Sequence, residues 1–225
     1  SFYTLSDYNT WKNTKACKGS SYTIKYYKGL GTSTSNEAKD YFRNKTQNTV
    51  HYVQNNDASP DILLAFKKEH ADDRKQWILN GIVNNQTIDY SGHNQKIEYS
   101  DFINKDLIQF SIADVERSIP SMVDGFKPSQ RKVIFACRKR KNTEIKVSQL
   151  SGYASTESAY HHGEQSMNTT IIGLAQNFVG SNNMNLLLPK GQFGTRLMGG
   201  KDSASPRYIF TMLSPHCLQL IRKSD

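Results

Sequence analysis

Apolar residues recur with helical spacing through the second half of the chain, and this pattern predicts several helices there. The first covers residues 108–115 and ends before chain breaks at Pro120 and Gly125. The second opens at Pro128. Its apolar stripe consists of Val133, Ile134 and Cys137. A third, short helix is expected over residues 147–158.

The helix predicted from Gly163 to Phe178 has the clearest amphipathic pattern. Its apolar residues follow the spacing i, i+4, i+7 and i+11, at Met167, Ile171, Leu174 and Phe178. The polar face expected outside consists of Gln165, Asn168, Thr169 and Gln176. Two helices joined by a turn, the second polar on its outer face, are typical of a helix-turn-helix. A glycine-rich stretch and a strand near residues 208–213 would supply a wing, so the pattern predicts a winged helix.

The first half of the chain has a mixed α/β pattern. Residues 2–11 indicate a short strand that turns into a helix, and the β-branched and aromatic residues 22–27 predict a strand. Thr34 and Glu37 have the spacing of a capping box, which predicts a helix over about residues 35–45. A strand, a glycine-rich loop and a capped helix together form an α/β edge.

The remainder of the first half is less regular. Residues 62–66 form a short apolar run, and residues 72–79 have a helical pattern anchored by Trp77 and Leu79. Residues 81–100 read as a linker with little core content, and a second domain begins near Asp101. The fold class predicted for the whole chain is therefore α+β.

Composition excludes an integral membrane protein. Of the 225 residues only 36% are hydrophobic, the mean hydropathy is −0.65, and no apolar run approaches the roughly 18 residues that span a bilayer. The start of the chain lacks the basic and apolar regions of a secretory signal. It also lacks an initiator Met, so we expect the chain to be a piece of a longer protein.

Positive charge is concentrated in one stretch of the sequence. The chain has a formal net charge of +9, and residues 117–146 contain nine basic and two acidic residues. Nucleic acid is the leading polyanion that such a stretch would bind. The alternative is a solvated helix face without a ligand.

The cysteines and histidines do not indicate a metal centre. Cys17, Cys137 and Cys217 are far apart and form no CxxC pair, which supports neither a disulfide framework nor a zinc site. The adjacent pair His161 and His162 has no cysteine nearby, so it is a weak candidate for metal binding.

Two segments contain groups suited to phosphate binding. The loop at residues 28–33, which begins with Lys28, places a cation, two glycines and hydroxyl groups before a helix N-terminus; a plain turn explains it equally well. In the tract 117–132, Pro and Gly fix the chain direction while Arg117, Lys127 and Arg131 can converge on a phosphodiester. The alternative for this tract is an ordinary basic helix flank.

Two further segments contain groups that could take part in catalysis. His161 and His162 lie at the turn before the polar-faced helix, where imidazoles can bind phosphate or exchange protons. Tyr208 follows Arg207, whose guanidinium could neutralise charge on a phosphate that a tyrosine attacks. On pattern alone, a DNA-binding winged helix is supported and enzymatic activity stays undecided.

The sequence also closely resembles the eukaryotic type IIA DNA topoisomerase family. The resemblance covers nearly the whole chain in order, and is strongest in five segments: 26–34 (YYKGLGTST), 118–125 (SIPSMVDG), 160–164 (YHHGE), 177–183 (NFVGSNN) and 191–208 (GQFGTR through SPRY). The adjacent histidines are similar to the eukaryotic members rather than to gyrase.

The resemblance implies a domain division and roles for individual residues. Residues 1–60 would be the C-terminal part of a Toprim domain, 61–104 a connecting segment, and 105–225 a winged-helix DNA-binding and cleavage domain. Tyr208 would be the nucleophile that forms a 5′-phosphotyrosyl link. The groups implied around the reacting phosphate are Arg207, Arg131, His161 and His162. The DNA contacts implied are Lys28, Arg74, Lys75, Arg117, Lys127 and Tyr160.

The same resemblance implies what lies outside this chain. The family's enzymes require Mg²⁺ and ATP, but the residues that bind them would precede this segment, so no metal site is expected here. We expect double-stranded DNA as the partner, a homodimer in the full-length enzyme, no membrane contact and a nuclear location. Strand passage by the chain alone is not expected. The alternative is a non-catalytic winged-helix module that binds duplex DNA, with Tyr208 in a structural role.

Overall fold

The computed structural model describes residues 2, 5–14, 22–27, 33–55, 57–90 and 96–221. The chain divides into two compact units, residues 1–112 and 113–225. None of the helices in the described ranges is long and apolar enough to cross a membrane.

The first unit is mainly helical, with one small sheet. Its helices and strands are α1 (Leu5–Lys12), α2 (Ser35–Arg43), α3 (Lys45–Asn48), β1 (His51–Val53), α4 (Ser59–Phe66), α5 (Ala71–Asn84), β2 (Lys96–Glu98) and α6 (Tyr99–Asp101). A π-helical segment, Phe102–Leu107, leads into α7 (Ile108–Ser118), which contains the boundary between the units. Strands β1 and β2 pair in parallel, with Tyr52 opposite Ile97.

The predicted capping box of α2 is confirmed. The backbone N–H of Glu37 donates to the hydroxyl of Thr34 at 3.3 Å, and the Thr34 N–H donates to the Glu37 carboxylate at 2.6 Å. The bond from the Thr34 N–H, followed by that from the Tyr27 hydroxyl, lowers the pKa of Glu37 to about 2. The helices predicted near residues 5–11 and 72–79 are present as α1 and α5.

Two predictions for the first unit are wrong. Residues 22–27 have no regular secondary structure and their side chains are exposed, because a strand needs a neighbour and the ladder described in this unit uses β1 and β2. The segment 81–100 is more than a linker, since Gly81 and Ile97 are buried and β2 lies within it. A three-residue strand is too short to give a period-2 signal. The strand expected before α1 falls largely outside the described residues.

The second unit is built on three packed helices. After α7 its elements are α8 (Pro128–Lys139), β3 (Ile145–Lys146), α9 (Val147–Glu157), α10 (Glu164–Ala175), β4 (Phe210–Thr211) and α11 (Pro215–Leu220). Strand β3 pairs antiparallel with β4, and Leu187 and Lys190 form antiparallel bridges to Leu213 and Phe210.

The core of this unit lies between α8, α9 and α10. Its fully buried side chains include Val133, Val147, Leu150, Met167 and Ile171. Ile209 and Leu213 extend this core to the segment after Tyr208. The predicted apolar stripe of α8 is therefore confirmed, as are helices at all four predicted positions.

The helix α10 differs from its prediction in two details. It ends at Ala175, so Phe178 lies beyond it. Asn168 was expected on the outer face, but it is buried, and the neighbouring segments of the unit cover it. Of the described cysteines, Cys137 and Cys217 are free and buried, and burial raises the pKa of the Cys137 thiol to about 12. Cys17 lies outside the described residues.

Gly194 offers a test of how tightly the glycine-rich segment is closed. Its φ is +101°, and a Cβ there would lie 2.5 Å from the Cα of Gly200. Gly180 has a nearly equal φ of +97° with nothing within 4 Å, so it is a matched control for backbone strain alone. We expect Gly194→Ala to lower the free energy of unfolding by about 1–3 kcal/mol more than Gly180→Ala, because of the added steric overlap. Urea unfolding measures both, and equal losses would contradict the close approach.

Candidate nucleic-acid interface

The segment that includes Arg207 and Tyr208 is held by backbone hydrogen bonds at both ends. The N–H of Val147 donates to the carbonyl of Ile209 at 3.0 Å, and the N–H of Ser148 donates to the carbonyl of Pro206 at 3.1 Å. These N–H groups belong to the first turn of α9, where a helix provides no acceptors of its own. The backbone on either side of Tyr208 is thereby tied to the core helices.

Tyr208 itself points away from that core. It is 69% exposed, whereas the next residue, Ile209, is buried. The guanidinium carbon of Arg207 lies 5.3 Å from the centre of the Tyr208 ring, a cation–π contact. A phenol on a fixed backbone, beside a permanent cation, is thus available to a ligand from solvent.

The glycine-rich segment before Arg207 is also fixed by side chains. The carboxylate of Asp202 accepts hydrogen bonds from the N–H and the hydroxyl of Thr195, both at 2.8 Å. The amide of Gln176 donates to the carbonyl of Phe193 at 2.9 Å, which ties the segment to the end of α10.

A cleft of about 500 Å³ separates α10 from residues 199–206. The sequence-predicted polar face of α10 forms one wall of it, with Gln165, Asn168, Thr169 and Gln176. The Oδ1 atom of Asn168 is buried and accepts no hydrogen bond. Sequence reasoning did not anticipate the cleft, because its second wall comes from residues more than 20 positions away.

Arg131 is held by a carboxylate that the sequence analysis did not single out. Its Nε and Nη2 atoms donate to the two oxygens of Asp124 at 2.7 and 2.8 Å. This bidentate pair, followed by the bond from the Phe126 N–H, lowers the pKa of Asp124 to about 2. A bidentate fork is also the geometry with which arginine binds phosphate, so Asp124 presents Arg131 in a form suited to that ligand.

The other basic residues of the tract have individual surroundings. Arg117 donates from Nε and Nη2 to Asp114 at 2.9 and 2.6 Å. Lys127 is the N-cap residue of α8, and its backbone N–H donates to the Gln130 side chain at 2.9 Å. The structure therefore holds Arg117 and Arg131 on acidic partners, in place of the convergence of unpaired cations that the sequence predicts.

The histidine segment is organised around Tyr160. The Tyr160 ring is buried, and the ring of His162 lies edge-on to it at 5.2 Å between centres. Lys132 lies over the same ring at 5.7 Å and donates to the carbonyl of Ala159 at 3.3 Å. Both His161 and His162 are exposed. Lys132 is a basic group at this site that sequence reasoning counted in the charged stretch without assigning it a role.

The site residues predicted in the first unit have mainly local contacts. Arg74 donates to the carbonyls of Lys67 and Leu64 at 2.6 and 3.0 Å, at the end of α4. Lys75 pairs with Asp72 at 2.6 Å. Lys28 lies outside the described residues. Within the described ranges, no group of three or more His, Cys, Asp or Glu side chains could hold a metal ion.

Comparison with family models matches each part of the chain to a different domain. Residues 1–115 match the "C-terminal associated domain of TOPRIM", and residues 117–225 match the family "DNA gyrase/topoisomerase IV".

Individual relatives agree with these matches. The chain is 52% identical to DNA topoisomerase 2-alpha of Rattus norvegicus and 53% identical to the mitochondrial DNA topoisomerase 2 of Dictyostelium discoideum, in both cases over 100% of the chain. It spans only 15% and 17% of the length of those proteins. A solved Plasmodium falciparum structure, the DNA-binding, cleavage and re-ligation domain of topoisomerase II, is similar with a TM-score of 0.77 and 47% identity. That match covers 96% of this chain and 29% of the solved one.

The Asp124–Arg131 pair can be tested by titration. The ion pair stabilises the fold while Asp124 is charged, and this contribution is lost as the pH falls from the ordinary carboxyl pKa of 3.8 towards about 2. We expect Arg131→Gln to return the pKa of Asp124 towards 3.8, as followed by ¹³C NMR of the carboxyl carbon. Asp72, whose pKa is lowered by Lys75, serves as the control and should not change. An unchanged Asp124 midpoint would contradict the pairing.

Proposed function

Because the chain belongs to the type II DNA topoisomerase family, we propose that it forms part of a DNA gate that cleaves and reseals duplex DNA. The exposed phenol of Tyr208, with the Arg207 guanidinium over its ring, is the observation that supports a catalytic role most directly. Since the chain spans about one sixth of its relatives' length, the complete reaction is assigned to the full-length protein.

In the proposed reaction, the Tyr208 oxygen bonds to the phosphorus of a DNA phosphodiester while the bond from phosphorus to the 3′ oxygen breaks. The electron pair leaves with the 3′ oxygen, and the DNA strand stays attached through a 5′-phosphotyrosyl link. His161 and His162 are assigned the transfer of the phenol proton towards the leaving oxygen, because imidazoles exchange protons near neutral pH. Attack by the 3′ hydroxyl on the phosphotyrosine reverses the step and reseals the strand.

The charge that develops on the phosphate requires cations at fixed positions. Arg207 is tethered next to the nucleophile, and Arg131 is pre-oriented by Asp124. On DNA binding, Arg131 would exchange the two carboxylate oxygens for two phosphate oxygens with the same bidentate geometry. The exchange explains why a phosphate-binding arginine is stored on an exposed carboxylate.

The remaining predicted contacts are proposed to position the duplex. Those assigned to the DNA backbone are Lys28, Arg74, Lys75, Arg117 and Lys127. Tyr160 is buried beneath Lys132 and His162, so we propose that it acts by orienting both groups.

The larger setting is also a proposal. We retain the division at about residues 60 and 105, a winged-helix arrangement for the second part, a homodimer and a nuclear location. Mg²⁺ bound outside this chain would supply further charge stabilisation at the phosphate, and ATP would drive strand passage in the full-length enzyme.

A non-catalytic duplex-binding module is the second candidate, because the basic tract by itself accounts for DNA affinity. It would give Tyr208 a structural role. The exposure of the Tyr208 ring argues against that role, since a structural tyrosine is expected to bury its ring.

Tyr208→Phe in the full-length protein separates the two candidates. It removes the nucleophilic oxygen and keeps the ring that contacts Arg207, so we expect loss of covalent protein–DNA adducts with duplex binding retained. Tyr153→Phe, on the neighbouring helix α9, is the matched control and should form adducts normally. Trapping with detergent followed by gel analysis measures both. Adducts formed by Tyr208→Phe would contradict the catalytic proposal.

The backbone contacts are tested by the salt dependence of duplex binding. Removing one phosphate contact lowers the slope of log K against log salt by about 0.9. We expect this change for Lys127→Gln and no change for Lys105→Gln, whose ammonium is paired with Asp101 in the first unit. Fluorescence anisotropy at several salt concentrations measures the slopes, and equal slopes would remove Lys127 from the footprint.

A further inference from the structure

The loop between α7 and α8 presents two apolar side chains to solvent. We call residues 119–126 the tip loop. Met122 is 99% exposed and Val123 is 91% exposed, which are among the highest values for large apolar residues in the described part of the chain. Two adjacent apolar side chains in full contact with water lower stability and solubility, so their position calls for a ligand.

The tip loop is rigid in spite of its exposure. The Gly125 N–H donates to the Ser121 carbonyl at 2.8 Å, and the Ser121 N–H donates to the Phe126 carbonyl at 3.0 Å. Asp124 accepts the Phe126 N–H at 2.9 Å and pairs with Arg131 on α8. These bonds hold Met122 and Val123 at the end of a braced turn.

The base of the loop is anchored on the core of the second unit. The Phe126 side chain is partly buried and packs against the buried cluster of α8, α9 and α10. The apolar tip therefore projects from the same rigid body as Tyr208. A force on the tip would be transmitted to the core directly, without a flexible hinge.

Basic side chains flank the tip along the sequence. Arg117 precedes it, Lys127 and Arg131 follow it, and the one acidic residue inside it, Asp124, is neutralised by Arg131. An apolar tip with positive flanks suits an anionic surface that also offers an apolar interior. Duplex DNA has this combination, since phosphates line its grooves and stacked bases lie between them.

We propose that Met122 and Val123 form a wedge that enters the minor groove of duplex DNA and partly unstacks a base step. The proposal rests on the proposed function for the presence of duplex DNA, but it does not depend on cleavage. Minor-groove wedges in other proteins use apolar side chains of this size, and the kink that they produce brings more of the backbone onto the protein. The wedge would bend the same duplex that Tyr208 attacks.

The test compares Met122→Ser/Val123→Ser with a control pair, Val179→Ser/Leu220→Ser, in the full-length protein. All four side chains are exposed in the second unit, so neither pair should lower the melting temperature appreciably. Permanganate oxidation of thymines on an end-labelled duplex reports unstacking, and energy transfer between labelled duplex ends reports bending. Titration of the same duplex gives affinity.

We expect the wild type and the control pair to increase permanganate reactivity and end-to-end energy transfer. The wedge variant should lose both signals and bind about tenfold more weakly, with an unchanged salt slope because no charge is altered. A wedge variant with wild-type reactivity and bending would overturn the proposal, and so would a wild type that produces neither signal. An affinity loss accompanied by a changed salt slope would also count against it.

The failure of this proposal can be distinguished from failure of the catalytic one. Tyr208→Phe should retain unstacking and bending even though it forms no adduct. Conversely, if the wedge variant binds, unstacks and cleaves like the wild type, only the wedge is excluded. If instead Met122 and Val123 are protected by a protein surface, their substitution would change the oligomeric state without changing DNA reactivity, which would also exclude the wedge.

Discussion

The structure of the candidate site depends on how the first turn of α9 satisfies its backbone N–H groups. Val147 and Ser148 donate to the carbonyls of Ile209 and Pro206, so a helix terminus within the core holds both ends of the segment containing Tyr208. Ile209 is then buried among the core side chains, and Tyr208 projects to solvent with Arg207 against its ring. A reactive group on a rigid backbone meets its substrate without an entropic cost of ordering.

Acidic side chains prepare the basic surface around this segment for its ligand. Asp124 holds Arg131 in a bidentate geometry, and Asp114 contacts Arg117 in the same way from one oxygen. An arginine stored on a carboxylate loses little side-chain entropy when phosphate replaces that carboxylate. Asp124 has a second effect, since it also braces the loop that presents Met122 and Val123. One ion pair thus links the proposed phosphate site to the proposed wedge.

Sequence reasoning succeeded where the signal is local. The capping box at Thr34, the stripe on α8 and the buried face of α10 follow from spacing within one helix. It failed where the partner is distant, because residues 22–27 have strand propensity without a neighbouring strand, and the burial of Asn168 depends on residues 199–206. The Asp124–Arg131 pair crosses a turn with no fixed spacing rule. Family motifs marked Tyr208, but only the structure showed that its ring is exposed.

The account requires a covalent bond between DNA and one particular oxygen. The most direct measurement is mass spectrometry of the adduct formed by the full-length protein, after digestion of the protein and the DNA. We expect a nucleotide attached through its 5′ phosphate to the peptide that contains Tyr208, and to no other tyrosine-containing peptide. A nucleotide on a different residue, or linkage through a 3′ phosphate, would contradict the account.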